Sequence, residues 1–324
     1  MLNRRLALAL LSLSLSLLAV PAAAVAQDSL PAPDVAVKTT IKLSGTNLVN
    51  RAVLSGSPWT VKGTVSSYVP GQSVELTVLL GSRTIVSRTL PITDGGGVGS
   101  FALPLDLGGS GRLTIRARHT ATAEMAGAEA KPIHVTLVRL YAKSGSHGLA
   151  VSYLQRRLAA LGYVVGRRGY YDARTGRAVL AFRKLTRMKR IYVADGEVFR
   201  RLASGWGRFK VRYPGQGRHV EADLTHQVLA LIDHGKAVRI YPLSSGKPST
   251  PTILGNFTVY MKEPGTNGHG MIYSSYFIRG YAIHGYVEVP VYPASHGCLR
   301  IPPPDAISVY NWVHVGTPVD TYYR

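Results

Sequence analysis

Apolar and polar residues alternate with a period of two over much of residues 37–141, which predicts β-strands and no helix there. Runs rich in valine, leucine and threonine at 59–65, 73–80 and 112–117 are bounded by turn-forming residues such as Pro70-Gly71. Short strands separated by turns at intervals of about ten residues are typical of an antiparallel β-sandwich.

The spacing changes between residues 142 and 205, where apolar side chains recur every three or four positions and predict helices. The first helix is expected around 151–161 and is ended by Gly162. A second is expected to begin near Thr175, and a third to run over 197–202.

The last part of the chain returns to strand patterning. Residues 228–232 and 237–243 flank a turn-type tetrapeptide and predict a hairpin. A short helix is expected over 307–313 with Asp305 as its N-cap, followed by a closing strand at 317–323.

The first 26 residues have the pattern of a signal peptide. Arg4 and Arg5 precede an apolar run over 6–20, and Ala24-Val25-Ala26 provides a small-x-small cleavage site. We therefore expect an exported protein of the cell wall or periplasm. Retention of this segment as an uncleaved anchor stays open, and it would be the only membrane contact expected.

The net charge of the chain indicates which class of binding partner it favours. The chain has 38 Lys and Arg against 17 Asp and Glu, a formal net charge of +21. Such a balance favours polyanions. Export argues against nucleic acid, so anionic wall polymers or lipid head groups fit better. A solvated basic surface without a partner is an equally good interpretation.

Cys298 is the only cysteine of the 324 residues. It lies in the run Ser295-His296-Gly297-Cys298-Leu299-Arg300, downstream of His284-Gly285. A thiol becomes a strong nucleophile beside a base, and glycines permit close approach of a substrate. The alternative is a small buried hydrophobe, but the surrounding histidines favour a nucleophile.

Residues 218–324 resemble the L,D-transpeptidase catalytic domain, the YkuD family, whose signature is His-Gly followed by Ser-His-Gly-Cys-x-Arg or Asn. Residues 220–229 are similar to the family's opening hairpin, and 245–252 to its first conserved loop. The spacing from His284 to Cys298 is a few residues shorter than in many members.

The resemblance implies roles for the motif residues. Cys298 is the nucleophile, and His284 is the base that hydrogen-bonds the thiol, oriented by a backbone carbonyl without a carboxylate. The backbone N–H groups of His296, Gly297 and Cys298 are candidates for an oxyanion hole.

Four further residues are candidates for substrate binding. Arg300 would brace the loop, hold a substrate carboxylate or form a structural salt bridge. Ser295 would hydrogen-bond the base or the donor peptide, or cap its own loop. Two tyrosines are candidates for lining the donor cleft: Tyr273 and Tyr286.

The upstream parts also resemble known modules. The run from Gly148 to Phe182 resembles a three-helix peptidoglycan-binding domain, although Arg183 stands where that family usually has Gln. The strands before it resemble bacterial immunoglobulin-like modules. The expected fold is multidomain and mainly β, with these boundaries: signal peptide 1–26, linker 27–36, Ig-like β-sandwich 37–141, peptidoglycan-binding three-helix domain 142–205 and β-rich L,D-transpeptidase catalytic domain 206–324.

The resemblance implies a cell-wall enzyme acting on peptidoglycan stem peptides by cysteine acyl transfer. An L,D-carboxypeptidase that uses water as acceptor, and a non-catalytic wall-binding scaffold, stay open. No cofactor is expected, and no metal, because no His-Glu-x-x-His occurs. The Ser-x-x-Lys match at Ser244 and Lys247 lacks its usual partner motifs and is interpreted as chance.

Overall fold

The computed structural model describes residues 36–324. The predicted signal peptide, and the predicted linker apart from its last residue, lie outside the described residues. Residues 36–324 form 19 strands and four α-helices. Within this range no helix has both the length and the apolar character needed to cross a membrane.

Ten strands precede the first helix and form two sheets. One sheet has the order β1-β3-β7-β6, and the other has the order β2-β10-β8-β4-β5 with β9 paired to β8. The strands are β1 (Ile41–Thr46), β2 (Ala52–Leu54), β3 (Trp59–Val65), β4 (Ser73–Leu80), β5 (Arg83–Pro91), β6 (Thr93–Asp94), β7 (Gly99–Leu105), β8 (Gly111–His119), β9 (Ala128–Glu129) and β10 (Ile133–Val138).

Alternation places the core of these sheets. Trp59, Val61 and Val65 on β3 are buried and share one apolar cluster with Leu76 on β4 and Ile115 on β8. The two sheets therefore enclose a common core, as the period-two pattern requires. The strands predicted at 59–65 and 73–80 are confirmed to the residue, and that at 112–117 lies within β8.

Three helices follow: α1 (Leu149–Ala159), α2 (Ala173–Leu185) and α3 (Gly196–Ala203). The Asp172 side chain accepts from the Thr175 N–H and caps α2, and Asp195 caps α3 through the Val198 N–H. All three predicted helices are confirmed. Each of the two capped helices begins one or two residues earlier than predicted, directly after its aspartate.

The remaining elements form two more sheets and a helix, α4. The sheet orders are β13-β12-β11-β19-β14 and β15-β16-β17-β18. Their members are β11 (His219–Asp223), β12 (Val228–Asp233), β13 (Lys236–Pro242), β14 (Gly255–Thr258), β15 (Met261–Thr266), β16 (Ile272–Ile278), β17 (Tyr281–Gly285), β18 (Leu299–Ile301), α4 (Pro303–Trp312) and β19 (Pro318–Tyr322).

The predicted hairpin is confirmed as β12 and β13, and the closing strand as β19. The start of α4 was predicted wrongly. The helix begins at Pro303, and Asp305 lies in its first turn instead of capping it. Proline is well suited to the first helical turn because its φ is already helical and its missing N–H has no partner there. The Asp305 carboxylate instead accepts two bonds from Arg177 on α2, at 2.6 and 2.9 Å.

The helices and the adjacent sheet share a core. One apolar cluster joins Phe182 of α2 with Val228 and Ile232 of β12 and Ile240 of β13. The cluster crosses the predicted boundary at residue 205, which stays a prediction.

A buried lysine connects the same two parts. Lys184 on α2 is 2% exposed, and its Nζ donates to the Leu243 carbonyl at 2.7 Å. Burial, with a smaller contribution from Arg190, lowers the pKa of Lys184 to about 7. Because Leu243 leads directly into the loop at 244–252, α2 is tied to the chain segment that reaches the site described below.

Replacing Phe182 by alanine is expected to cost about 3–5 kcal/mol of unfolding free energy. The ring is fully buried and packs edge-on against Tyr163 with centroids 5.8 Å apart. Urea unfolding measures the loss. Tyr170→Ala is the matched control, since Tyr170 is 43% exposed and should change stability by no more than about 0.5 kcal/mol. A loss below about 1 kcal/mol for Phe182→Ala would contradict the proposed packing.

Candidate active site

Two neighbouring strands place the predicted base and nucleophile. β17 and β18 are parallel, with Ile283 opposite Leu299 and His284 opposite Arg300. Ile283 and Leu299 belong to the core, so His284 and Arg300 project from the other face. Cys298 directly precedes β18, and its sulfur lies near the backbone of β17, with contacts to the Ala282 N–H and the Gly280 carbonyl.

His284 is held as a neutral base. It is 2% exposed, and its Nδ1 lies 2.8 Å from the Gly285 carbonyl oxygen. A carbonyl oxygen only accepts, so Nδ1 carries the proton and Nε2 is left with a free lone pair. Burial lowers the pKa of His284 to about 4, and the positive charge of Arg300 acts in the same direction. The imidazole is therefore unprotonated at neutral pH.

Cys298 is held as a thiol. The side chain is half-buried, and Sγ donates to the Gly280 carbonyl at 3.7 Å. Burial raises the pKa of Cys298, while the Ala282 N–H and the charge of Arg300 oppose that rise. Since the imidazole is neutral too, the resting pair is thiol and imidazole, and the sulfur must lose its proton as it attacks.

The loop before Cys298 is braced from within by Ser295. The fully buried Ser295 hydroxyl donates to the Cys298 carbonyl at 2.6 Å and accepts the Gly297 N–H at 3.0 Å. This hydroxyl caps its own loop, which was the structural alternative to substrate binding. The Gly297 N–H, a predicted oxyanion donor, is engaged in the same interaction. The N–H groups of His296 and Cys298, the other two predicted oxyanion donors, bond to no group of the described residues.

Gly297 has a different role, which is steric. Its φ is +117°, and a Cβ at this position would lie 1.9 Å from a ring carbon of Tyr281. Both the backbone conformation and the packed ring require glycine here. Tyr281 thus shapes the nucleophile loop, and nothing in the sequence motif indicated it.

Three other predicted residues lie in or beside the site. His296 is exposed, with Nε2 3.4 Å from Lys247 Nζ. The Arg300 guanidinium stacks 4.0 Å from the Tyr286 ring centroid, and that ring lies perpendicular to His284 at 5.8 Å. Arg300 therefore forms a cation–π contact where a salt bridge was the structural alternative.

Tyr273 packs against helix α4. Its ring packs against Tyr310 of α4 with centroids 5.2 Å apart and contacts the core cluster of this domain. Tyr273 is partly buried, and its cleft-lining role stays a prediction.

Loop 244–252 contributes Thr252, which sequence reasoning did not single out, and Lys247, whose Ser-x-x-Lys match was interpreted as chance. Thr252 donates to the Gly297 carbonyl at 2.8 Å, and Lys247 approaches His296. The sequence signal that points to this loop is the resemblance of 245–252 to a loop of the YkuD family. No group of three or more His, Cys, Asp or Glu side chains that could hold a metal ion occurs within residues 36–324.

Comparison with known proteins identifies similar molecules. A family model, YkuD, the L,D-transpeptidase catalytic domain, matches residues 217–320. The crystal structure of the L,D-transpeptidase from Xylanimonas cellulosilytica is 34% identical, covers 56% of this chain and 97% of that one, and has a TM-score of 0.51.

Two further matches cover smaller parts of this chain. The NMR structure of the Enterococcus faecium L,D-transpeptidase catalytic domain acylated by ertapenem is 31% identical over 33% of this chain and 97% of that one, with a TM-score of 0.28. L,D-transpeptidase 1 of Mycobacterium tuberculosis is 26% identical over 125 residues, 31% of this chain and 48% of that protein. The chain thus spans about half the length of the curated relatives it matches.

Proposed function

Because the chain belongs to the L,D-transpeptidase family through the catalytic domain in residues 217–320, we propose that it is an exported enzyme forming 3→3 peptidoglycan cross-links. The acyl donor is a tetrapeptide stem, and the acceptor is an amine on the third residue of a second stem. The nucleophile is the Cys298 thiol.

The observation that supports this proposal is that His284 lies on β17 and that Cys298 directly precedes β18, the parallel neighbour of β17. The Gly285 carbonyl fixes the imidazole so that Nε2 is the basic nitrogen. A neutral imidazole and a neutral thiol have the protonation states that general-base attack on a peptide carbonyl requires.

In the first half-reaction, Sγ of Cys298 attacks the carbonyl carbon that joins the third stem residue to the terminal D-alanine. The thiol proton passes to His284 Nε2, and the developing oxyanion accepts from the Cys298 N–H. The C–N bond breaks, the departing amine takes the proton from His284, and a thioester remains. In the second half-reaction the acceptor amine attacks the thioester, the amide forms, and the thiol regains a proton.

The test uses the protein without residues 1–26, purified disaccharide-tetrapeptide and mass spectrometry. We expect a dimer whose mass equals two donors minus one alanine, together with free D-alanine. Cys298→Ala is the matched control and should give neither product. Release of alanine without a dimer would mean that the enzyme hydrolyses the donor and does not join two stems. Absence of both products would overturn the proposal.

The upstream parts are proposed to hold the enzyme on its substrate. The helical region 142–205 resembles a peptidoglycan-binding domain, and the strands of 37–141 resemble an Ig-like spacer. The formal charge of +21 favours anionic wall polymers as additional ligands.

Retention on purified peptidoglycan is expected to weaken, without vanishing, as salt rises from about 0.1 to 1 M. That change shortens the Debye length from roughly 10 to 3 Å and screens the basic surface, whereas direct sugar or peptide contacts persist. A pull-down at both salt concentrations measures it. Equal retention at both concentrations would exclude a contribution from charge, and no retention at either would exclude wall binding.

A further inference from the structure

The loop at 244–252 follows the nucleophile segment along its length. The Ser245 carbonyl accepts the Ala294 and Ser295 N–H groups at 2.9 and 3.0 Å, and the Lys247 N–H donates to the Ser295 carbonyl at 2.9 Å. The Thr250 hydroxyl donates to the same Ser295 carbonyl at 3.1 Å. The two segments therefore form one unit around Cys298, although some 45 residues separate them in sequence.

Thr252 is the member of this loop that reaches the nucleophile's own peptide. It is 3% exposed, and its Oγ1 accepts the Gly246 N–H at 2.9 Å and donates to the Gly297 carbonyl at 2.8 Å. The Gly246 N–H can only donate, so the single hydroxyl proton of Thr252 is directed to Gly297. A Cβ at Gly246 would lie 2.3 Å from the Thr250 carbonyl oxygen, so this close turn requires glycine.

The Gly297 carbonyl and the Cys298 N–H belong to the same planar trans peptide and point in opposite directions. Fixing the carbonyl oxygen therefore fixes the direction of the N–H. Since the Gly297 N–H is taken by Ser295, the N–H groups of His296 and Cys298 are the oxyanion donors of this loop, and the Gly297 carbonyl fixes the direction of the second. We propose that Thr252 is a positioning residue that aims the Cys298 N–H at the carbonyl oxygen of the acyl donor. This inference rests on the proposed acyl transfer at Cys298.

The expected effect follows from what an oxyanion donor contributes. Loss of one such donor slows acyl transfer by about 10²–10³-fold. Without the Thr252 hydroxyl the Cys298 N–H is retained but less well aimed, so we expect a smaller loss, about 10–100-fold. The Cys298 sulfur itself keeps its bond to Gly280, so its reactivity toward reagents that form no oxyanion should be retained.

The experiment compares two reactions of the same sulfur in Thr252→Val, which preserves shape and removes the hydroxyl. Acylation by the carbapenem ertapenem passes through an oxyanion. Alkylation by iodoacetamide displaces iodide at a tetrahedral carbon, with loss of the thiol proton to solvent, and passes through none. Because the chain has one cysteine, intact-mass spectrometry assigns both products to Cys298. We expect acylation to fall about 10–100-fold and alkylation to stay within about twofold of wild type.

Two variants serve as controls. Thr252→Ser retains the hydroxyl and should restore acylation to within about threefold of wild type. Thr250→Val removes a hydroxyl from the same loop, but the Ser295 carbonyl keeps the Lys247 N–H, so a smaller effect than that of Thr252→Val is expected. Circular dichroism checks that each variant is folded, and Thr252→Ala replaces the valine variant if that one is not.

Equal slowing of both reactions in Thr252→Val would mean that Thr252 only supports the fold of the loop, and it would overturn the inference. Acylation at the wild-type rate would overturn it as well. Failure of the proposed function is a distinct result: the wild-type protein would be alkylated but acylated by neither ertapenem nor the tetrapeptide donor. The inference would then fall with the function on which it rests.

Discussion

Replacing Cys298 by alanine is expected to abolish acyl transfer, with a fall of at least about a thousandfold in alanine release from the tetrapeptide donor. No other thiol exists in the chain to replace it. Single-turnover mass spectrometry measures the release. Thermal unfolding should change little, because the side chain is half-buried and makes one long bond, to the Gly280 carbonyl.

Cys298→Ser provides the second variant, since it preserves the shape of the side chain and introduces a much weaker nucleophile. It is expected to be as inactive as the alanine variant while still retaining the donor peptide. Residual activity of the alanine variant above about a thousandth of the wild-type activity would contradict the assignment of Cys298 as the nucleophile.

Replacing His284 by glutamine is expected to slow acylation by ertapenem about 10²–10⁴-fold, the usual contribution of a positioned general base. The glutamine amide provides no basic nitrogen in place of Nε2, the nitrogen that the Gly285 bond leaves unprotonated. His296→Gln is the matched comparison. His296 is exposed, and its proposed contribution is a backbone N–H that the substitution keeps, so a smaller loss is expected. If His296→Gln were the more damaging change, the base would have to be reassigned to His296.

The pH profile gives a second test of the base. An imidazole at its ordinary pKa would titrate in the neutral range, but burial lowers the pKa of His284 to about 4. His284 stays unprotonated as pH falls through neutrality and gains a proton only as pH falls through about 4. We therefore expect the wild-type acylation rate to show no imidazole inflection near neutrality and to fall on the acid side near that value. An inflection between about pH 6 and 7 that is absent from His284→Gln would contradict the burial argument.

The strands of the N-terminal region were predictable because burial of one face of a strand makes apolar and polar residues alternate along the sequence. Residues 59–65 and 73–80 alternate clearly, and β3 and β4 occupy those ranges. The start of α4 was not predictable in the same way. Asp305 has the side chain of an N-cap, but its partner is Arg177, 128 residues away, and Pro303 begins the helix.

The sequence by itself determined which atoms are available for chemistry: one thiol, a histidine followed by glycine, and a glycine next to the nucleophile. These are properties of residue identity and short spacing, and they do not depend on how the chain packs. The tertiary structure alone decided the protonation states of His284 and Cys298, because burial by distant residues sets both pKa values. It also decided that the Gly297 N–H is engaged by Ser295 and that the Thr252 hydroxyl bonds the Gly297 carbonyl. The second feature depends on a hydrogen bond between segments remote in sequence, that from Thr252 to Gly297, and no local sequence pattern predicts it.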